Sequence, residues 1–211
     1  MATGTISEPA NARSRRTRAA LLSAAHAILE AEGFEALTMT AVAERAGVTR
    51  RSVYLHFPTR AELVAGLFDH VAAVAGLAES LAEVWAAPDA VAALDEWAAH
   101  LARYHPRLLA VDRAVERVRH ADVDAAAHRR RVVAARLASC RRLAVRLHDE
   151  GRLADAWTVE SARDMLFALI SSDMIEALIV DRRWSRPRLA SHLALMFRST
   201  FANGVDGERP A

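Results

Sequence analysis

The chain contains no lysine: all 28 basic residues are arginine, set against 26 acidic ones. This absence reflects compositional bias and carries no functional message. Cysteine occurs once, as Cys140, so no internal disulfide can form. Glycine and proline number only 8 and 6 among 211 residues, and no stretch of useful length alternates apolar and polar residues as a strand would. Long hydrophobic runs are missing too. The longest charge-free stretch, Ala19 to Leu29, has 11 residues and includes Ser23 and His26, whereas a bilayer requires roughly 20 apolar residues. Met1 to Ala20 carries four arginines and no apolar segment of the kind a signal sequence has, so a cytoplasmic protein with no membrane partner is expected. Together these absences exclude an all-β sandwich, a disulfide scaffold and a membrane span.

What is abundant is alanine, with 47 residues, the best helix former. With 53% hydrophobic and 26% charged residues the body of the chain can bury a core. Net charge is only +2, but residues 1 to 60 hold 8 arginines and 5 acidic groups, while the rest holds 20 and 21. Arg13, Arg15, Arg16 and Arg18 fall within six residues, either as a basic arm for phosphate or as a solvated tail.

Turn residues at Gly33, Gly47, Pro58, Pro88, Pro106, Gly151 and Pro187 divide the chain into intervals that read as helices. The expected helices run over about 15–31, 40–46, 50–57, 60–87, 89–104, 107–119, 124–150, 158–183 and 186–202. The first places Leu22, Ala25, Ile28 and Leu29 at helical spacing before Gly33. The helix over 158–183 is apolar on more than one side, and the last carries a stripe of Leu189, Leu193, Met196, Phe197 and Phe201. A second copy of the chain covering Leu166, Ile170, Ala177 and that stripe is the economical reading, so a homodimer is expected.

The segment from Thr40 to Phe57 reads as two short helices joined by a tight turn at Gly47, a helix-turn-helix unit. In its second helix Thr49, Arg50, Arg51, Ser52, Tyr54 and His56 all carry hydrogen-bonding groups, while Val53 and Phe57 are spaced to face a core. Arginine can grip guanine bidentately in the major groove, and hydroxyls with an imidazole can hold phosphates. A solvated surface helix is the competing reading of those residues taken alone. The stretch LTMTAVAERAGVTRRSVYLHFPTRAEL, from Leu37 to Leu63, resembles the DNA-binding signature of the TetR family of transcriptional regulators. The matching elements are Thr38 and Thr40 before the short helix, the turn from Ala43 to Val48, Thr49, then Tyr54, His56, Phe57 and a basic residue at the next helix start.

That resemblance implies an all-α protein with an N-terminal three-helix DNA-binding domain (13–60) and a larger C-terminal domain for ligand binding and dimerisation (61–202), between disordered tails at 1–12 and 203–211. It implies that Thr49, Arg50, Arg51 and Ser52 meet the major groove, one arginine reading a base and the other open to a phosphate role. Tyr54, His56 and Thr40 would bind phosphate, with Thr38 beside them, and so would Arg60, which stands where lysine is usual. The partner is a palindromic operator in double-stranded DNA, and a repressor released by a small-molecule effector is expected. Candidates for the effector site are Trp85, Trp97, His100, Leu101, Tyr104, Met165, Leu169, Asp173 and Met174, a set that ordinary core packing would also explain. Ser171, Ser172 and Asp173 would touch ligand or pair across a two-fold axis.

The alternative is a helical ligand-binding or catalytic protein with a vestigial head. Little favours it. His120, Asp124 and His128 share a face only if helix runs through Ala121 to Val123, and no further ligand completes a metal set. Glu96 with His100 could exchange protons, but no nucleophile, oxyanion site or cofactor loop accompanies them, so neither an enzyme nor a cofactor is expected.

Overall fold

The computed structural model describes residues 12–203, which fold into helices; among them no strand forms, and Leu153 and Ala202 make one isolated bridge. The tails expected at the two ends lie almost wholly outside the described residues. The described residues form two compact units, one comprising those up to Ala72 with Arg113–His128, the other Ala73–Asp112 with the residues from Arg129 onward. The first unit therefore extends past Arg60 and takes in a segment far along the chain.

In the first unit, α1 (Ala12–Glu32) buries Leu21, Leu22, Ala25, Ile28 and Leu29 and ends at Gly33. Gly33 has φ 88°, where a side chain would be strained, and Phe34 and Leu37 beyond it are buried. Next, α2 (Met39–Arg45) is capped by Thr38, whose hydroxyl accepts from the Ala41 amide at 3.1 Å. Thr49 caps α3 (Arg50–His56) in the same way through the Ser52 amide. Helices of seven residues are unstable alone, so Val42, Ala43, Val53 and Phe57 hold α2 and α3 by burial. Then α4 (Arg60–Val74) starts after Thr59, which accepts from the Glu62 amide. A methyl group on Gly66 of α4 would lie 3.0 Å from the Phe57 ring and 3.3 Å from the Arg18 guanidinium. That spacing allows α4 to approach both neighbours closely.

The helix expected from 60 to 87 is two helices. Gly76, with φ 76°, ends α4 and precedes α5 (Leu77–Ala86), because a left-handed residue cannot continue the right-handed ladder. In the second unit α6 (Ala90–Tyr104) follows, then a 3₁₀ turn at His105–Arg107 containing Pro106. Two further helices, α7 (Leu109–Val118) and α8 (Val123–Asp149), contribute residues to both units. The helix expected over 158–183 is also broken, into α9 (Val159–Ala168), α10 (Ser172–Glu176) and a π-helical turn at Ala177–Asp181. Ser171 causes the break by capping α10, its hydroxyl accepting from the Met174 amide at 3.2 Å. Finally α11 (Arg186–Phe201) closes the unit.

The core of this unit is built from Leu94, Trp97 and Leu101 of α6, Cys140, Leu143 and Leu147 of α8, Leu166 of α9 with Ile170, and Leu189, Leu193, Phe197 and Phe201 of α11. Each buried Leu or Phe stabilises it by roughly 1.5 to 3 kcal/mol. Here the expectation that a second copy covers these stripes needs correcting. Leu166, Ile170, Leu189, Leu193 and Phe197 are already covered within one chain, principally because α11 lies along α6. Met196 is half-buried and Ala177 exposed, which leaves only these two of the expected set open. Burial also pushes the Cys140 thiol up to about 12, so it is an inert apolar filler.

Candidate DNA-binding site

The amphipathic pattern of α3 decides what its residues can do. Val53 and Phe57 are wholly buried, so the helix cannot rotate about its axis, and the opposite side is fixed outward. Arg51 and Tyr54 are exposed on that side, and Ser52 is half-exposed. Arg51 makes no hydrogen bond or ion pair with any described residue. Arg50 differs: its guanidinium donates to the Tyr54 hydroxyl at 3.1 Å and lies 5.5 Å from the centre of the Tyr54 ring. The two arginines that sequence reading left interchangeable are thus in different states, one anchored along the helix and one free to extend.

Leu55, 76% exposed between Tyr54 and His56, was missed by the sequence reading. Its signal was available as an apolar residue in the midst of polar ones, two positions from each of the inward-facing Val53 and Phe57 and so on the opposite side of the helix. His56 is held below the ordinary imidazole range by partial burial and then by the nearby Arg18 charge, so it is a neutral ring near pH 7. Thr40 is exposed, and Thr38 and Thr49 lie at exposed helix starts with their hydroxyls engaged as caps. Arg18 itself packs over the Phe57 ring at 5.0 Å, while Arg13, Arg15 and Arg16 on the same helix are exposed.

Arg60 is the exception. Its Nε donates to the Leu37 carbonyl at 3.1 Å, and its two terminal nitrogens reach the Asp122 and Asp124 carboxylates at 3.0 and 2.6 Å. It also covers the Phe34 ring at 5.0 Å. No sequence pattern announces a partner more than sixty residues away. Asp122 is held below the usual carboxylate range: burial alone would raise it, but the Ala125 and Asp124 amides and the Arg60 guanidinium outweigh that.

In the second unit, four of the nine effector-site candidates form a stack. Trp85 and Trp97 have ring centres 6.5 Å apart, Trp97 and His100 5.0 Å, and His100 and Tyr104 5.4 Å. Arg142 caps it, 4.0 Å above Trp85. Leu101 is fully buried core, Leu169 and Met174 are half-buried, and Met165 and Asp173 are exposed. The Trp97 indole N–H is buried without an acceptor among the described residues. His100 Nδ1 lies 2.9 Å from the Ser80 hydroxyl, and Arg136 lies 3.4 Å from His105 Nδ1 and 3.5 Å from Asp112. Ser172 donates to the same Asp112 carboxylate at 2.8 Å, which assigns it a partner within the chain. Sequence reading missed Ser80, His105, Asp112 and Arg136, because no motif spacing links them.

The groups considered for other chemistry are dispersed. Glu96 accepts from Arg103, not from His100. Asp124 binds Arg60, and the His128 ring stacks on Phe68 at 3.3 Å. Among the described residues no group of three or more His, Cys, Asp or Glu converges as a metal site would require. No single described helix is long and apolar enough to cross a membrane.

Residues 21–67 match the family of bacterial regulatory proteins, tetR family. No curated protein is significantly similar to the whole chain. The fold is shared with solved regulators. NalD, the secondary repressor of the MexAB-OprM multidrug efflux pump in Pseudomonas aeruginosa, is 22% identical over 92% of this chain and 100% of its own, with TM-score 0.69. SmeT in complex with triclosan is 20% identical over 93% and 98%, with TM-score 0.72. The fatty acid degradation regulator FadR from Bacillus halodurans is 15% identical over 86% and 94%, with TM-score 0.69. The matched segment contains α2, α3 and the start of α4, the elements that set the outward face of Arg51, so residues 21–67 are identified as a DNA-binding domain of the tetR family, within an all-helical fold shared with solved regulators.

Proposed function

We propose that the chain is a dimeric, cytoplasmic repressor that binds a palindromic operator through α3 and leaves it when a small molecule occupies the C-terminal region. The observation that carries this is the outward face of α3, where Arg51 is unengaged, Arg50 is anchored on Tyr54, and burial of Val53 and Phe57 fixes the orientation. In this reading Arg51 meets a base edge, and Arg50 with Tyr54, His56 and Thr40 meets the backbone. Leu55 adds an apolar surface suited to a thymine methyl group. Two recognition helices in a dimer would read half-sites one helical turn apart, roughly 34 to 36 Å.

Support for an effector comes from the Trp97, His100 and Tyr104 stack. A buried indole N–H with no acceptor is an uncommon cost in a core, and a bound ligand would remove it. SmeT, of the same fold, was solved with triclosan. The dimer surface is placed on what one chain leaves uncovered: Met165, Ala177, Val180, Leu195 and half-buried Met196. A Val180→Glu, Leu195→Glu variant is expected to sediment as a monomer while remaining helical, and an unchanged sedimentation coefficient would move the interface elsewhere.

The reading is tested by selecting duplexes from sheared genomic DNA at about 150 mM salt, where weak nonspecific binding is suppressed. Enrichment of a palindrome supports a dimeric operator-binding protein, and enrichment of nothing by effector-free protein overturns it. Tyr54→Phe removes both the hydroxyl and the anchor of Arg50. It is expected to weaken specific and nonspecific binding alike by about 0.5 to 1.5 kcal/mol, measured by anisotropy on operator and on scrambled duplex. Equal affinities for the variant and the native chain would remove Tyr54 from the contact set.

A further inference from the structure

Arg60 occupies the position from which the resemblance would have a cation reach a DNA phosphate, yet its guanidinium is held by groups of its own unit. The planar group has five N–H donors. One goes to the Leu37 carbonyl, and the terminal nitrogens serve Asp122 Oδ1 at 3.3 Å, Asp122 Oδ2 at 3.0 Å and Asp124 Oδ2 at 2.6 Å. The acceptors are fixed in advance: Asp122 Oδ1 also takes the amides of Asp124 and Ala125 at the start of α8, at 2.9 and 3.0 Å. The three side chains are mostly covered, with exposures of 29%, 26% and 17%, so solvent screens the pairs only in part.

The geometry points to Asp122 and Asp124 as positioning residues that withdraw Arg60 from the DNA backbone and make it a tie between the 113–128 segment and the entrance to α2. Three consequences follow from the chemistry. A single phosphate brings one negative charge, whereas release from the clamp would leave two carboxylates and a carbonyl without their cation. The carboxylates also repel an approaching backbone, so local charge at the start of α4 is net acidic. Arginine suits this role as lysine does not, because only a planar fork serves two carboxylates and a carbonyl at once. The Leu37 carbonyl immediately precedes Thr38, the cap of α2, so the tie fixes where the helix-turn-helix begins.

This inference rests on the DNA-binding reading of the chain, and its test uses the salt dependence of binding, which counts phosphate contacts. Each contact contributes about 0.9 to the slope of log affinity against log salt. The full-length protein, Arg60→Gln, Asp122→Asn with Asp124→Asn, and the three substitutions combined are titrated onto a labelled duplex of arbitrary sequence between about 50 and 200 mM KCl. Asparagine caps a helix as well as aspartate does, so the double variant keeps the start of α8. The native protein and Arg60→Gln are expected to share one slope. The double variant is expected to be steeper by about 0.9 per bound protomer, and the triple variant to return to the native value. Misfolding of a fraction of the protein lowers amplitude but leaves the slope. A slope flattened by about 0.9 in Arg60→Gln alone would show that Arg60 is a phosphate contact and overturn the inference. So would an unchanged slope in the double variant, which decides the matter even if Arg60→Gln does not fold. Failure of all four proteins to bind any duplex overturns the DNA-binding reading along with it.

Discussion

Replacing Arg51 with alanine is expected to lower affinity for the selected operator by roughly 1 to 3 kcal/mol, about 5- to 150-fold, while binding to scrambled duplex falls much less. The asymmetry between the two arginines carries the expectation. Arg50 is drawn along its helix toward Tyr54, close to the surface that would lie on the backbone. Arg51 has no partner among the described residues, so reaching a guanine edge breaks no existing contact. A bidentate pair with guanine discriminates by about that amount, because the wrong base leaves the guanidinium desolvated and unmatched. The measurement is a pair of anisotropy titrations on operator and scrambled duplex at one salt concentration, repeated with single base substitutions in the half-site. Relaxed preference at one position identifies the base read by Arg51. A uniform loss on all sequences reassigns Arg51 to phosphate, and in that case Arg50→Ala should carry the sequence effect.

How much of this was legible in the sequence depends on the range of the interaction concerned. The caps Thr38, Thr49 and Thr59 and the stops at Gly33 and Gly47 act over a few residues, so the local turn residues were enough to place α1 to α3 within a few residues of their observed bounds. The breaks at Gly76 and Ser171 were harder. Both residues were visible, but apolar periodicity continued through them, and periodicity does not register a left-handed backbone or a serine that caps. The stripe on α11 was read correctly as buried but assigned to the wrong partner. Hydrophobic spacing shows that a face must be covered and cannot show by what, and α6 of the same chain covers it.

The site divides in the same way. The outward set of α3 follows from a period of 3.6 together with Val53 and Phe57 facing inward. The clamp on Arg60 and the Asp112, Arg136 and His105 cluster join residues separated by 23 to 64 positions, and single-sequence spacing holds no trace of such pairings. Leu55 lies between these cases. Its exposure was derivable from the helix phase, yet an exposed leucine is unremarkable until the helix carrying it is known to face DNA.

Lowering the pH from 7 to about 4.5 is expected to destabilise the second unit through His100 and His105. Burial pushes the His100 ring down to about 4, with the Arg103 and Arg136 charges acting in the same direction. His105 lies well below its ordinary value, again chiefly through burial and then through Arg136 and His100. Both rings are nearly inaccessible, and Ser80, Tyr104 and Arg136 crowd them, so no solvent shell is at hand for a charged imidazole. In the unfolded chain each titrates near 6.5. Because the folded state binds fewer protons than the unfolded one below that value, stability holds above pH 6.5 and is lost progressively as the pH falls toward 4. One pKa unit corresponds to about 1.4 kcal/mol, so His100 alone removes roughly 3 kcal/mol across its window, a large share of the 5 to 15 kcal/mol typical of a domain. Asp122 acts in a separate range: its folded value is depressed below 3.8, so its stabilisation is present above 3.8 and lost only in stronger acid. Urea midpoints measured at closely spaced pH values between 7.5 and 4.5 should therefore decline for the native chain, and decline less for His100→Gln, which keeps a hydrogen-bonding partner for Ser80 without the titration. A midpoint independent of pH over that interval would mean that water reaches both rings, and the packing assigned to the Trp97, His100 and Tyr104 stack would have to be abandoned.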